Sequence, residues 1–80
     1  EFPCYFDIKV MGEANANFSK DIISIIKGHD SNFNSSKIEM KGSSNGKYIS
    51  LTCSVRVTNQ KQLDKIYIDL SKNPITKFVL

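Results

Sequence analysis

Apolar and polar residues alternate from the start of the chain. In "CYFDIKVM", Cys4, Phe6, Ile8 and Val10 fall on one side, and Tyr5, Asp7, Lys9 and Met11 on the other. A period of two is that of a strand with one buried face, and Gly12 ends it. The period then changes. Phe18, Ile22, Ile25, Ile26 and His29 recur at helical spacing, with Ile23 widening the stripe. Asn17 is placed to cap this helix, since a side-chain oxygen just before the first turn can accept a free N–H. Gly28 marks the helix end. "KIEMK" alternates again, with Ile38 and Met40 on the inner side. The clearest signal is "YISLTCSVRV": Ile49, Leu51, Cys53, Val55 and Val57 point one way, and Tyr48, Ser50, Thr52, Ser54 and Arg56 the other. Thr58 or Asn59 can cap a second helix bearing Leu63, Ile66, Tyr67 and Leu70. Asn73-Pro74 stops it, because Pro restrains the residue before it. "ITKFVL" reads as a last short strand.

The order is strand, helix, strand, strand, helix, strand. Each helix has one apolar stripe and each long strand one apolar face, so both helices must cover the same face of one sheet. The expected fold is α+β: a ferredoxin-like βαββαβ sandwich, with a four-stranded antiparallel sheet, two helices on one face, and the first and third strands central. Residues 1–80 are read as a single domain with one small core, since a chain this short buries only about 60% of its unfolded surface. The expected core is Ile8, Val10, Ile22, Ile26, Leu51, Val55, Leu63, Ile66 and Phe78.

The segment from Gly42 to Lys47 resembles a phosphate-binding loop only superficially. Such a loop is Gly, four residues, then Gly-Lys-Ser/Thr, running from a strand into a helix. Here three residues separate Gly42 from Gly46, and Tyr48 stands in the hydroxyl position. The segment also runs into a strand, so it has no helix N-terminus to hold an anion. Asn45-Gly46 between two alternating segments predicts a hairpin, because both residues tolerate positive φ.

Charge and cysteine usage narrow the function classes. Net charge is +3, from 11 basic and 8 acidic residues. The lysines are dispersed and Arg56 is the sole arginine, a pattern of solvated surface more than of a clustered phosphate footprint. The apolar runs are far shorter than the roughly 20 residues of a membrane helix. "EFPCYF" lacks the basic start of a signal peptide, and the chain opens on Glu1, which suggests a longer native N-terminus. Two cysteines, Cys4 and Cys53, are too few for a disulfide scaffold. A cytoplasmic protein with reduced thiols is expected, and both thiols are assigned to the core.

Candidate chemistry is sparse. His29 is the single histidine; Asp30 beside it is the nearest group in sequence to orient it, and a structural or capping role is expected. One His and two inward cysteines do not make the three or four convergent ligands of a metal site. No catalytic residues, cofactor or metal are expected. Asp7 and Glu39 read as single carboxylates, solvated or paired across strands with Lys9 or Lys41. The open sheet face should present Asp7, Lys9, Ser50, Thr52 and Arg56. RNA-recognition domains share this topology and stack bases on central-strand aromatics. Here Tyr5 and Tyr48 lie at strand ends, so an RNA-binding module on the open face is the alternative rather than the leading reading.

Two motifs carry a family resemblance. "FPCYFDIKVMG" resembles the "FP…F…KVMG" opening of the YbeD-like family of small bacterial proteins, and "KGSSNGKYISL" resembles its "K-x-S-x-x-G-x-Y-x-S" hairpin and long strand. "ITKFVL" is similar to its closing strand. The resemblance implies a ferredoxin-like fold similar to the ACT regulatory domains, with no established biochemical function. It also implies an effector or interface region in the loop after the first strand, at Gly12, Asn15 and Asn17; the simpler reading is that Gly12 ends a strand and Asn17 caps a helix. The expected function is a non-enzymatic regulatory or protein-interaction domain. Its expected partner is an unidentified protein or small effector, with no membrane, and with a homodimer through an edge strand.

Overall fold

The computed structural model describes residues 2–43 and 45–80. Its elements are β1 (Cys4–Glu13), α1 (Phe18–Lys27), β2 (Ile38–Gly42), β3 (Tyr48–Val57), α2 (Gln60–Ser71) and β4 (Thr76–Val79), with a short 3-10 turn, Ser35–Lys37, leading into β2. The strands form one antiparallel sheet in the order β2-β3-β1-β4. This is the ferredoxin-like arrangement, with β1 and β3 in the centre. Neither helix is long and apolar enough to cross a membrane.

The two long strands pair over their whole length, from Cys4 opposite Val57 to Glu13 opposite Tyr48. Directly opposed residues share a face, so one register collects Ile8, Val10, Leu51, Cys53, Val55 and Val57 on the same side. All six are fully buried. Phe18, Ile22 and Ile26 of α1 and Leu63, Ile66 and Leu70 of α2 complete this core. Each such aliphatic chain contributes about 1.5 to 3 kcal/mol from apolar burial, set against the entropy of ordering it.

The helix ends differ in how they are made. Asn59 caps α2 with its side chain, which accepts the Gln62 N–H at 2.8 Å. Gln62 returns the favour through Oε1, which accepts the N–H and hydroxyl of Thr58. At α1 the expected cap by Asn17 is not formed. Asn17 already has helical backbone angles and makes no capping bond; instead its own N–H donates to Asn15 Oδ1 at 2.8 Å. The cap requires an extended residue, and the turn before α1 does not supply one there.

Three expected core assignments change. Phe78 is 63% exposed and faces away from the helices. It stands opposite Met11, while Val79 stands opposite the buried Val10. An irregularity lies between these pairs and the next, Gly12 opposite Thr76, so Lys77 is the extra residue of a bulge. The bulge sets which of the β4 residues look outward, and alternation alone does not reveal it. Met40 lies on the helix side, opposite Leu51, yet is 56% exposed because β2 is an edge strand that the helices do not cover. Cys4 is only half-buried. In the other direction, Phe33, which lies in no periodic segment, is buried in the core.

The hairpin between β2 and β3 forms as predicted, but with a longer loop than a two-residue turn. Gly46 has φ of 72° and, among the described residues, no non-glycine residue has positive φ, so Asn45 contributes by its side chain. Asn45 Oδ1 accepts the Ser43 hydroxyl and the Lys47 N–H. The Ser43 N–H donates to the Tyr48 carbonyl, the Gly46 N–H to the Ser43 carbonyl, and the Tyr48 N–H to Ser43 Oγ. Ser44 lies outside the described residues. These four N–H groups are consumed within the loop and are not free to hold a phosphate.

Candidate functional site

The register assigns every residue of the uncovered face to a row. Arg56 stands beside Tyr5, Ser54 beside Asp7, Thr52 beside Lys9, and Ser50 beside Met11. On the β2 side Glu39 joins Thr52 and Lys41 joins Ser50; on the β4 side Phe78 joins Met11. Leu80 continues β4 beyond its last ladder residue, exchanging two backbone hydrogen bonds with Lys9 at 3.0 and 2.8 Å. The structure thus places Asp7, Lys9, Ser50, Thr52 and Arg56 together on one face.

This face has two unlike halves. Around Asp7, Thr52 and Ser54 it is polar, bounded by Ser36, Lys37 and Glu39. There Tyr5 is engaged by a cation, with Lys37 Nζ 5.5 Å from its ring centre. The other half is apolar. Met11, Tyr48, Lys77 and Phe78 line a hollow of about 330 Å³. A second hollow of about 210 Å³ continues from Met11 and Tyr48 toward Lys41 and Ser50. Leu80, 71% exposed, extends the apolar surface along β4. Lys41 and Lys77 border the cluster, and Lys77 pairs with Glu13 at 3.7 Å. Both partners are about half exposed, so water screens this pair and it adds little to stability.

Sequence patterning showed Met11 and Tyr48 as outward residues but not their partner. Phe78 completes the cluster, and its face depends on the β4 bulge. The signal available in the chain was the outward pair itself, since two large apolar residues on a solvated face need an explanation.

The loop after β1 is held by its own contacts. Gly12 is buried, and a Cβ built there would stand 2.6 Å from Phe18 Cζ and 2.7 Å from the Ile75 carbonyl oxygen. The Glu13 N–H donates to that same carbonyl, and the Ala14 N–H to Lys47 O. Asn15 and Asn17 are exposed and bonded to each other as described above.

His29, Asp30 and Cys53 are committed elsewhere. His29 Nε2 meets Asp69 Oδ2 at 2.7 Å, joining the end of α1 to α2. Asp69, 40 positions along the chain, is therefore the partner of His29, and not its neighbour Asp30. Asp30 is buried and accepts the Arg56 N–H at 3.1 Å and the Asn32 N–H at 3.2 Å. Burial pushes the Cys53 thiol up to about 12, so it is a neutral thiol at physiological pH and a poor nucleophile. Among the described residues, no three of His, Cys, Asp or Glu converge as metal ligands.

Comparison with known proteins gives a family and a fold. Residues 1–80 match a family described as "Protein of unknown function (DUF493)". A UPF0250 protein of Janthinobacterium sp. is 46% identical over 80 residues, which span all of this chain and 88% of that one. One from Paraburkholderia phytofirmans is 41% identical, spanning all of this chain and 90% of the relative. The solution structure of protein HP0495 from H. pylori superposes with a TM-score of 0.84 at 21% identity, covering all of this chain and 84% of that one.

Proposed function

The chain belongs to the DUF493 family of small bacterial proteins of unknown function, and from its geometry we propose a non-enzymatic interaction domain that receives a protein partner on the open sheet face. The observation that carries this reading is the cluster of Met11, Tyr48 and Phe78 around one hollow, with Phe78 largely exposed. Exposed apolar clusters with polar rims mark interaction sites, and aromatic residues and Met are enriched at interface centres. Lys41 and Lys77 at the rim favour a partner segment with an apolar anchor and acidic flanks. A regulatory role of the kind the family resemblance implies would act through this face, because Phe18 and Ile75 close off Gly12.

Catalysis has little to draw on. General acid–base chemistry needs positioned groups with suitable pKa values; the His29–Asp69 pair ties the end of α1 to α2, away from the open face, and burial keeps Cys53 protonated. RNA is a second reading of the same face, supported by one observation: Phe78 adds an outward ring near Tyr48, and exposed aromatics beside lysines can stack bases.

The experiment is a pull-down from extract of the source cell with the wild-type chain and Phe78→Ser, followed by titration of the captured protein. Binding should weaken at least about tenfold in Phe78→Ser, with an unchanged melting temperature because Phe78 is exposed. Capture that survives Phe78→Ser would sink the reading. A parallel titration with a single-stranded oligouridine separates the RNA alternative. RNA binding would be lost on combining Lys41→Glu with Lys77→Glu and would fall linearly with the logarithm of salt concentration.

A further inference from the structure

The edge strand β2 carries a self-complementary pattern. It is five residues long, Ile-Glu-Met-Lys-Gly, and pairs with β3 without irregularity on its inner side. Its outer side is the edge of the sheet. Glu39 and Lys41 lie on the open face, opposite Thr52 and Ser50, and both are exposed. Met40 lies between them on the opposite face, uncovered by the helices.

We propose that two copies of this chain pair antiparallel through β2, about a twofold axis at Met40, to make a continuous eight-stranded sheet. In that register Glu39 faces the partner's Lys41, and Lys41 faces the partner's Glu39. Each pair is repeated by the symmetry, as an isologous contact requires. Met40 meets the partner's Met40 on the helix side, so each covers the other. Neighbouring registers do not match. An axis at Glu39 sets Glu39 against the partner's Glu39 and Lys37 against the partner's Lys41. An axis at Lys41 sets Lys41 against the partner's Lys41. Like charges directly opposed are destabilising in a sheet. Lysine on an edge strand ordinarily discourages pairing; here one register supplies it with a carboxylate.

The other edge is less suited. β4 has four residues, the bulge at Lys77 bends it, and Pro74 lies just before it. An antiparallel twofold at its centre would set Lys77 against the partner's Phe78.

This contact runs along the edge of β2 and needs no partner on the open face, though Lys41 borders both. It is also small compared with the interfaces of stable complexes, so dissociation is expected at tens to hundreds of micromolar, on the order of 10⁻⁵ to 10⁻³ M. The test is sedimentation equilibrium of the wild-type chain from about 10 μM to 1 mM, a range set by that affinity. Mass should rise from 9.0 kDa toward twice that value. Glu39→Lys and Lys41→Glu should each weaken association at least about tenfold, because each creates two like-charge pairs. The double variant E39K/K41E should restore it. An equimolar mixture of the two single variants should also associate, since every facing pair is then opposite in sign. Both positions are exposed, and unchanged thermal melts of the variants verify that folding is intact. A wild-type chain that stays monomeric at 1 mM overturns the proposal. So does a failure of the double variant or of the mixture to associate, and so does loss of the dimer in Phe78→Ser, which would place the contact on the open face.

Discussion

Replacing Gly12 with Ala puts the tightest of the four glycine positions to a quantitative test. The added Cβ would lie 2.6 and 2.8 Å from Cζ and Cε1 of Phe18, and 2.7 Å from the Ile75 carbonyl oxygen. Ordinary van der Waals contact at a Cβ begins at 3.4 Å, so two neighbours must retreat. Phe18 is fully buried in the core. The carbonyl is backbone, and it accepts the Glu13 N–H at 3.2 Å, so moving it strains the junction of β1 with the segment entering β4. Overpacking of this kind costs about 1 to 3 kcal/mol, and one weakened hydrogen bond adds about 1 kcal/mol. Replacing a strand glycine returns roughly 0.5 to 1 kcal/mol through backbone entropy. The net cost should be about 1.5 to 3 kcal/mol, a large part of the total for a domain of this size. Urea melts of Gly12→Ala measure it directly. Phe18→Leu, which shortens the ring, should relieve part of the clash, so the double variant should be more stable than the two single costs added together by about 1 kcal/mol. A cost below about 0.5 kcal/mol, or strict additivity with Phe18→Leu, would refute the reasoning and reopen Gly12 as a ligand-contacting position.

Two further outcomes follow from buried groups. Asp30→Ala should cost about 2 to 4 kcal/mol in a urea melt, because it leaves the N–H groups of Arg56 and Asn32 without their acceptor; Asp30→Asn, which keeps one acceptor oxygen, should cost less. Cys53 should react slowly with a thiol reagent in the folded chain and quickly in denaturant, since burial raises it from 9.0 to about 12. Above pH 9 the unfolded chain ionises this thiol while the folded chain does not, so stability should fall as pH rises from 9 toward 12. The contribution approaches about 1.4 kcal/mol per pH unit, and urea melts at rising pH should show it vanish in Cys53→Val.

Period and parity carried most of the fold. β1, β3 and both helices are visible in the chain because each has one buried face, and a one-residue slip would expose all of it. That condition fails at the sheet edges. Phe78 and Val79 are adjacent, and the bulge at Lys77, a property of pairing with β1, decides which one turns inward. Alternation gives the side of Met40 but not the reach of the helices above it. Phe33 and Asp30 belong to a segment without period, and their partners lie far along the chain, as with Asp30 and Arg56. The same boundary runs through the candidate site. Its polar members, Asp7, Lys9, Ser50, Thr52 and Arg56, sit on the long strands and were legible. Its apolar focus needed Phe78, and so needed a register.

The strict alternation along β1 and β3 has an evolutionary corollary. Ile8, Val10, Leu51 and Val55 hold the helices, while Lys9, Met11, Ser50 and Thr52, one position away on the same strands, lie on the opposite face. A mutation on the second set changes what the face presents and leaves the first set in place. Surface substitutions of this sort usually shift stability by no more than about 0.5 kcal/mol. The scaffold can therefore drift in specificity almost without a folding penalty, and the residues that distinguish the partners of one relative from those of another should be sought at every second position of the two central strands.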